Sequence, residues 1–384
     1  MRIAVDARWI FNEISGVGAY TRALIRHLAR LDQENEYVLL FNDATLRDRT
    51  LREAQIVDAA NMLAVDVPCG IFSPRGQFIL PGLLRKHGVN IYHSTNYMIP
   101  LLAFPKNKQG AITCVVTIHD VIPLLFPEHA PKSKKSRVFP VYRRLMKEIG
   151  ARADAIITDS KTSAVDVART LEIPTQNRAK IQHVYCGVAE HFRPNDSRSA
   201  RSKNDRRQVL FVGRTDPYKN LVHLVEVLAE VIPMLPFPLA LTVAGSPDPR
   251  YPEAKQVVER LGIGDRVRWT GYITDDALAE LYREADVLVH PSRYEGFGLQ
   301  VAEAMASGLP VICSNAGSLP EVAGDATLIV DPDDSDGLKR DIMRVLTEPG
   351  LAASLAAKGL ERSKQFTWDK TARETLKIYE NVGK

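Results

Sequence analysis

Two glutamates, Glu295 and Glu303, stand eight positions apart around a glycine turn in PSRYEGFGLQVAEAMASGLPVICS, residues 291–314. The preceding ADVLVHPS reads as a buried strand ending near Ser292, and LQVAEAMASG reads as a helix that Gly308 terminates. Glu295-Gly296-Phe297-Gly298 is then the turn. Its glycines let the backbone approach a ligand, and the helix start at Leu299 points N–H groups outward. Glu295 belongs at the lip of a crevice. Glu303 lies about one turn into the helix, where a carboxylate can accept two hydrogen bonds from a vicinal diol. One carboxylate could hold a sugar and the other a ribose. Spacing alone fits a solvent-facing glutamate and a helix stabiliser equally well.

Three further stretches offer chemistry at strand ends. GRTDPYKN, Gly213 to Asn220, places Arg214 and Lys219 directly after a strand, where a guanidinium fork and an ammonium can bind a diphosphate. A solvated turn with ordinary surface charges is the plainer reading of the same residues. SGVG, Ser15 to Gly18, opens a helix after the first strand, so Gly16 and Gly18 can bring backbone N–H groups to an anion. Thr21 stands where a dinucleotide fingerprint needs its third glycine, which argues against an oxidoreductase. His119, in TIHDVIPL, ends another buried strand; a structural histidine fits there as well as a functional one.

The elements that must position these residues come in two runs. Short apolar segments at 2–6, 37–41, 90–94, 114–120 and 154–160 alternate with amphipathic stretches such as GAYTRALIRHLARL, the rhythm of a doubly wound α/β domain. The segment RPNDSRSARSKNDRRQ, 193–208, breaks it with little to bury and reads as a linker. The rhythm restarts with strands at 209–213, 239–245, 266–271, 285–292, 309–314 and 326–330. A closing amphipathic helix runs to the end. The expected domains are therefore 1–192, the linker 193–208, 209–365, and a final helix in 366–384.

The composition, 45% hydrophobic and 25% charged over 384 residues, suits a soluble two-domain enzyme. A formal net charge of +4 does not point to a nucleic-acid partner, and the basic linker lacks aromatics to stack on bases. Four scattered cysteines, Cys69, Cys114, Cys186 and Cys313, read as free buried thiols in a reducing compartment. MRIAVDARWI lacks the pattern of a signal peptide, and no apolar run approaches the ~20 residues of a membrane span, so a cytoplasmic location is expected. The carboxylates show no clustering of the kind Mg²⁺ or Mn²⁺ needs, so no metal site is expected. PKSKKSRVFPVYRRLMK, 131–147, mixes basic and apolar residues, a composition suited to anionic lipid and equally to a solvated basic face.

Taken together, EGFGLQVAE with AMASGLPVI and the G-R-x4-K run from Gly213 to Lys219 resemble the retaining glycosyltransferases of family GT4 along essentially the whole chain. The resemblance implies the GT-B fold: two Rossmann-like doubly wound α/β domains facing across a cleft, with the C-terminal helix crossing back to the N-terminal domain. It implies that Glu295 contacts the donor sugar, that Glu303 binds the ribose, and that Arg214 and Lys219 bind the diphosphate. Backbone groups from Gly296 through Phe297 and Gly298 to Leu299 would hold phosphate and sugar oxygens, with Ser292 beside them. Tyr272 and Ile273 would cradle the base. His119 would sit beside the transferred sugar, with Gly16 and Gly18 near phosphate and acceptor.

The catalytic set expected from the resemblance is thus His119, Glu295, Arg214 and Lys219, with no cofactor beyond a nucleoside diphosphate sugar as co-substrate. GDP-mannose as donor and a glycan or lipid-linked acceptor of surface polysaccharide synthesis are favoured over a UDP-glucose or UDP-GlcNAc donor. A phosphorylase or a non-catalytic nucleotide-sugar sensor is the remaining alternative. Two departures, SGVG where many members carry GG and Cys186 where asparagine or proline is usual, fall on the acceptor side.

Overall fold

The computed structural model describes residues 1–12, 16–107, 110–129, 138–194 and 206–383. Its contacts divide the chain into two units, one of 1–125, 138–187 and 367–384, the other of 126–137 and 188–366. Residues 195–205 of the expected linker and 131–137 of the basic segment lie outside the described residues.

The first unit holds seven parallel strands: β1 (Arg2–Asp6), β2 (Glu36–Phe41), β3 (Met62–Asp66), β4 (Ile91–Ser94), β5 (Thr113–Thr117), β6 (Ala155–Thr158) and β7 (Ile181–His183). Their order is β3-β2-β1-β4-β5-β6-β7, with Ala4 of β1 in register with Val38 of β2 on one side and Tyr92 of β4 on the other. Strands β4, β5 and β6 are buried at every position, which is why they read as short, largely apolar runs without alternation. The expectation missed β3 and β7. Both are edge strands with few buried positions, so neither needs the apolar sequence that marks a central strand.

The second unit holds β8 (Arg207–Val212), β9 (Leu239–Ala244), β10 (Val267–Gly271), β11 (Val287–His290), β12 (Val311–Ser314) and β13 (Leu328–Val330), all parallel, in the order β10-β9-β8-β11-β12-β13. Arg207 and Gln208, expected in the linker, are the first residues of β8. They pair with Leu239 and Ala240, and the Asp286 carboxylate accepts from the Gln208 N–H at 2.7 Å. Residues 188–194 also pack into this unit, where Arg283 donates to the carbonyls of His191 and Arg193.

The last helix, Trp368–Val382, belongs to the first unit. It lies against the helix Gly16–Leu31, with the rings of Tyr20 and Trp368 5.7 Å apart. The Tyr379 hydroxyl reaches Nδ1 of His93 at 2.6 Å, and Thr371 donates to the Tyr185 carbonyl. All four cysteines are free and buried. Among the described residues no helix is long and apolar enough to cross a membrane.

Candidate functional site

In the second sheet the chain runs outward from β8 through β9 to β10, then returns to the other side of β8 to lay down β11. The carboxyl ends of β8 and β11 therefore flank the point where strand order reverses, the crevice at which open α/β sheets bind ligands. The loop after β8 carries Arg214 and Lys219, and the loop after β11 carries Ser292 and Glu295. Gly213 after β8 and Gly245 after β9 let those two neighbouring strand ends come together: a Cβ on Gly245 would stand 2.3 Å from the Gly213 carbonyl oxygen.

Lys219 and Glu295, separated by 76 positions in sequence, meet here as a buried ion pair with Nζ 2.6 Å from Oε1. His290, the last residue of β11, places Nε2 2.9 Å from the same oxygen. Burial opposes charge on Glu295, but the Lys219 ammonium and the His290 N–H outweigh it and hold the carboxyl down at about 2. Burial likewise opposes the Lys219 charge, and Glu295 reverses that, so the lysine is held above its ordinary value. Burial pushes His290 down, keeping it neutral.

The backbone at Glu295 is fixed from the adjacent loop. The N–H and hydroxyl of Ser318 both donate to its carbonyl at 3.1 Å. Gly317 (φ +58°) leaves room for this approach, since a Cβ there would stand 2.5 Å from the Glu295 oxygen. Beyond the turn, Gly298 (φ +89°) is the N-cap of the helix Leu299–Ala306 and supplies no side-chain cap. The positive end of this helix therefore carries no side-chain cap.

Glu303 sits inside that helix, buried, and its Oε2 accepts from the hydroxyl of the fully buried Tyr282 at 2.9 Å. Burial dominates its titration and pushes it up to about 8, with Asp275 adding to the rise and Tyr282 opposing it. In the free protein at neutral pH, Glu303 is thus mainly a carboxyl group where the sequence suggested a carboxylate.

Arg214 remains half-exposed and is forked between Asp216, 3.0 Å from Nε, and Asp248, 2.5 Å from Nη2. Arg250 shares Asp248, and the Arg250 hydrogen bonds hold that carboxyl well below its usual range. Tyr272 and Ile273 follow β10 at the same sheet end but two strands farther out, with Tyr272 49% exposed. The expectation of no metal site passes over one D-x-D spacing, Asp331 to Asp333, directly after β13. These carboxylates are engaged locally: Arg293 pairs with Asp333, and Asp331 accepts from the Asp333 N–H. Among the described residues no three His, Cys, Asp or Glu side chains gather as a metal ligand set.

The remaining expected residues lie in the first unit. His119 follows β5, with Nδ1 2.7 Å from Asp159 and Nε2 3.0 Å from the Thr95 carbonyl. A carbonyl only accepts, so Nε2 carries a proton, and Nδ1 donates to the carboxylate. Burial opposes this imidazolium, but the Asp159 charge and both hydrogen bonds raise His119 above its ordinary value. Gly16 and Gly18 form the first turn of the helix Gly16–Leu31, Gly16 open to solvent and Gly18 buried; Ser15 lies outside the described residues.

Sequence reasoning missed His290, Tyr282, Asp248, Arg250 and Asp159. The available signal was a polar residue ending or following an apolar strand: the His in VLVHPS, the Asp in IITDS, and SPDPR after β9.

Comparisons with known proteins bear on the whole chain. The family model Glycosyltransferase Family 4 matches residues 14–192, and Glycosyl transferases group 1 matches 192–362. A D-inositol 3-phosphate glycosyltransferase of Streptomyces bingchenggensis is 32% identical over 96% of this chain and 85% of its own length. O-antigen chain mannosyltransferase B of Escherichia coli is 29% identical over 99% of both chains. Among solved structures, sucrose-phosphate synthase from Thermosynechococcus elongatus superposes with a TM-score of 0.79 at 23% identity, covering 100% of this chain and 99% of that one. Anabaena HepE, solved with UDP and glucose, gives 0.73 at 18% identity over 100% of both chains. With two Rossmann-like parallel sheets and both family regions present, this chain belongs to the family 4 glycosyltransferases, the glycosyl transferases of group 1, and has their GT-B fold.

Proposed function

We propose that this glycosyltransferase moves a hexose, mannose in preference, from a nucleoside diphosphate sugar to a glycan or lipid-linked acceptor, with retention of configuration and without a metal or further cofactor. The observation that carries this reading is the buried Lys219–Glu295 pair at the switch point of the second sheet, with Arg214 on the same loop. An ammonium has three N–H groups, and Lys219 commits one to Glu295, so the others can serve the donor diphosphate. The uncapped start of the helix Leu299–Ala306 and the Arg214 guanidinium add to the positive field there.

In this scheme the sugar C1–O bond to the β-phosphate breaks as the acceptor oxygen attacks C1 from the same face. The departing phosphate oxygen takes the acceptor proton. Negative charge grows on that oxygen, and Lys219 and Arg214 stabilise it. Glu295 orients the sugar hydroxyls, Glu303 the ribose, and Tyr272 with Ile273 the base. His119, an imidazolium held by Asp159 in the first unit, is assigned to the transferred sugar, and Gly16 and Gly18 to the acceptor side.

Mannose is favoured because the E. coli relative is an O-antigen chain mannosyltransferase, which also supports a role in surface polysaccharide synthesis; a cytoplasmic location at the inner face of a membrane belongs to the same proposal. UDP-sugars are the second reading, supported by HepE having been solved with UDP-glucose. The helix Phe139–Arg152 is the candidate lipid contact: Val141 is 68% exposed beside Arg143, Arg144 and Lys147. Glu172 neutralises part of that face by pairing with Arg143 and Lys147. Salt-sensitive co-sedimentation with anionic vesicles tests it.

The decisive experiment is turnover across GDP-mannose, UDP-glucose and UDP-GlcNAc, with and without EDTA, and NMR of the product anomer. The reading expects GDP-mannose to be used, EDTA to have no effect, and the anomeric configuration to be kept. No turnover of any nucleotide sugar, an inverted product or loss of activity in EDTA would each overturn its part.

A further inference from the structure

His290 is fully buried at the end of β11, following three fully buried aliphatic residues, Val287, Leu288 and Val289. An ionised glutamate only accepts hydrogen bonds, so the 2.9 Å contact to Glu295 Oε1 fixes the proton on Nε2. Nδ1 is then a lone-pair acceptor, and it is buried with no hydrogen-bond partner. Leaving such an atom unsatisfied costs about 1–3 kcal/mol. An aliphatic residue would avoid that cost, so packing alone does not explain a histidine here.

What the histidine provides is a second donor on one oxygen of Glu295. Lys219 reaches Oε1 from the loop after β8, and His290 reaches the same atom from the end of β11. Two donors from two different elements leave the carboxylate little freedom to turn. Both bonds fall on Oε1, so Oε2 is the oxygen left over for a ligand. A neutral imidazole does this without adding a second positive charge that would draw Glu295 away from a hydroxyl.

We propose that His290 is a positioning residue of the transfer reaction: it locks the Glu295 carboxylate so that Oε2 accepts from a hydroxyl of the transferred sugar. This rests on the donor-sugar role given to Glu295 above. His290 touches neither nucleotide nor phosphate in this scheme, so it governs the sugar half of the donor and leaves the nucleoside diphosphate half alone.

The test compares His290→Phe, which removes the donor, with His290→Gln, whose amide can donate from near the Nε2 position. His290→Phe should lower kcat about a hundredfold, the scale of a misplaced reacting group, while GDP or UDP affinity by calorimetry stays within about twofold of wild type. His290→Gln should recover at least about tenfold of that loss. Wild-type turnover by His290→Phe, or equal loss of turnover and nucleotide affinity in both variants, would overturn the proposal. Ring ¹H–¹⁵N correlation on the free wild-type protein provides a readout independent of activity and of how the variants fold. It should show the neutral Nε2–H tautomer, and an Nδ1–H tautomer or an imidazolium would overturn the bond itself. Failure of the wild type to use any nucleotide sugar, with the Nε2–H tautomer intact, would instead remove the sugar role of Glu295 and the proposal with it.

Discussion

Donor binding should release a proton, and Glu303 should be its source. The carboxyl is pushed up to about 8 by burial, with a single hydroxyl, that of Tyr282, holding its ionised form. A ribose diol offers two more donors, and donors favour the carboxylate. If the ionised form is the binding form, only about one molecule in ten is ready at pH 7, which weakens the apparent affinity roughly tenfold, or about 1.4 kcal/mol. Affinity for a nucleotide sugar should then rise about tenfold from pH 6 to 7, less from 7 to 8, and level off above. Calorimetry in buffers of different ionisation enthalpy should count about 0.9 proton released at pH 7. The esterified diphosphate of a nucleotide sugar has no group titrating in this range, so the proton belongs to the protein. Glu303→Gln should abolish both the slope and the release. The free fold carries the opposite dependence: a carboxyl raised from 4.5 loses its contribution to stability as pH climbs from about 4.5 through about 8. A flat affinity between pH 6 and 8 with no proton released would refute the ribose role, the neutral state, or both, and Glu303→Gln separates the two.

Other substitutions follow from the same geometry. Tyr282→Phe removes the bond that lowers the Glu303 pKa, so the pH at which donor affinity levels off should move upward, which the same titration reads. Lys219→Ala should cost about 3–5 kcal/mol of stability as well as turnover, because it strands a buried charge on Glu295. Adding Glu295→Gln to it should restore much of the stability and none of the activity, as denaturant unfolding and a transfer assay would show. Asp159→Asn should lower the His119 pKa, read by NMR titration, because the Asp159 charge is what overcomes burial there.

The spacing of Glu295 and Glu303 and the Arg214–Lys219 run pointed to one end of the second sheet, where Arg214, Lys219 and Glu295 lie on the loops after two neighbouring strands and Glu303 lies in the helix that follows. All six strands of the second sheet were legible as apolar runs, while edge strands β3 and β7, with little to bury, were not. The sequence alone places Lys219 in a turn after a strand. It cannot show that the lysine is buried against a carboxylate 76 positions away. The neutral state of Glu303 was equally hidden, since it depends on the burial of one helix face against Tyr282 and not on any neighbour in sequence. Histidine and tyrosine in apolar stretches look like core residues until the structure shows which atom each of them reaches.

The two carboxylates of the motif end up in opposite protonation states although both are buried. Glu295 has a cation and a neutral donor on one oxygen and stays ionised, while Glu303 has a single neutral donor and does not. Each cation assigned to the diphosphate already has an acidic partner, Lys219 with Glu295 and Arg214 with Asp216 and Asp248. The free site therefore holds its charges in balance, and a donor carrying two negative charges does not meet a bare positive surface. On the proposed reading, binding redistributes hydrogen bonds that already exist: Lys219 would turn its remaining N–H groups to phosphate while keeping Glu295, and Glu303 would give up a proton to hold the ribose. Such a site discriminates by the directions of its donors and acceptors more than by net charge. On that reading the uncharged residues behind the carboxylates, His290 and Tyr282, should bear on the reaction as well as the charges in front.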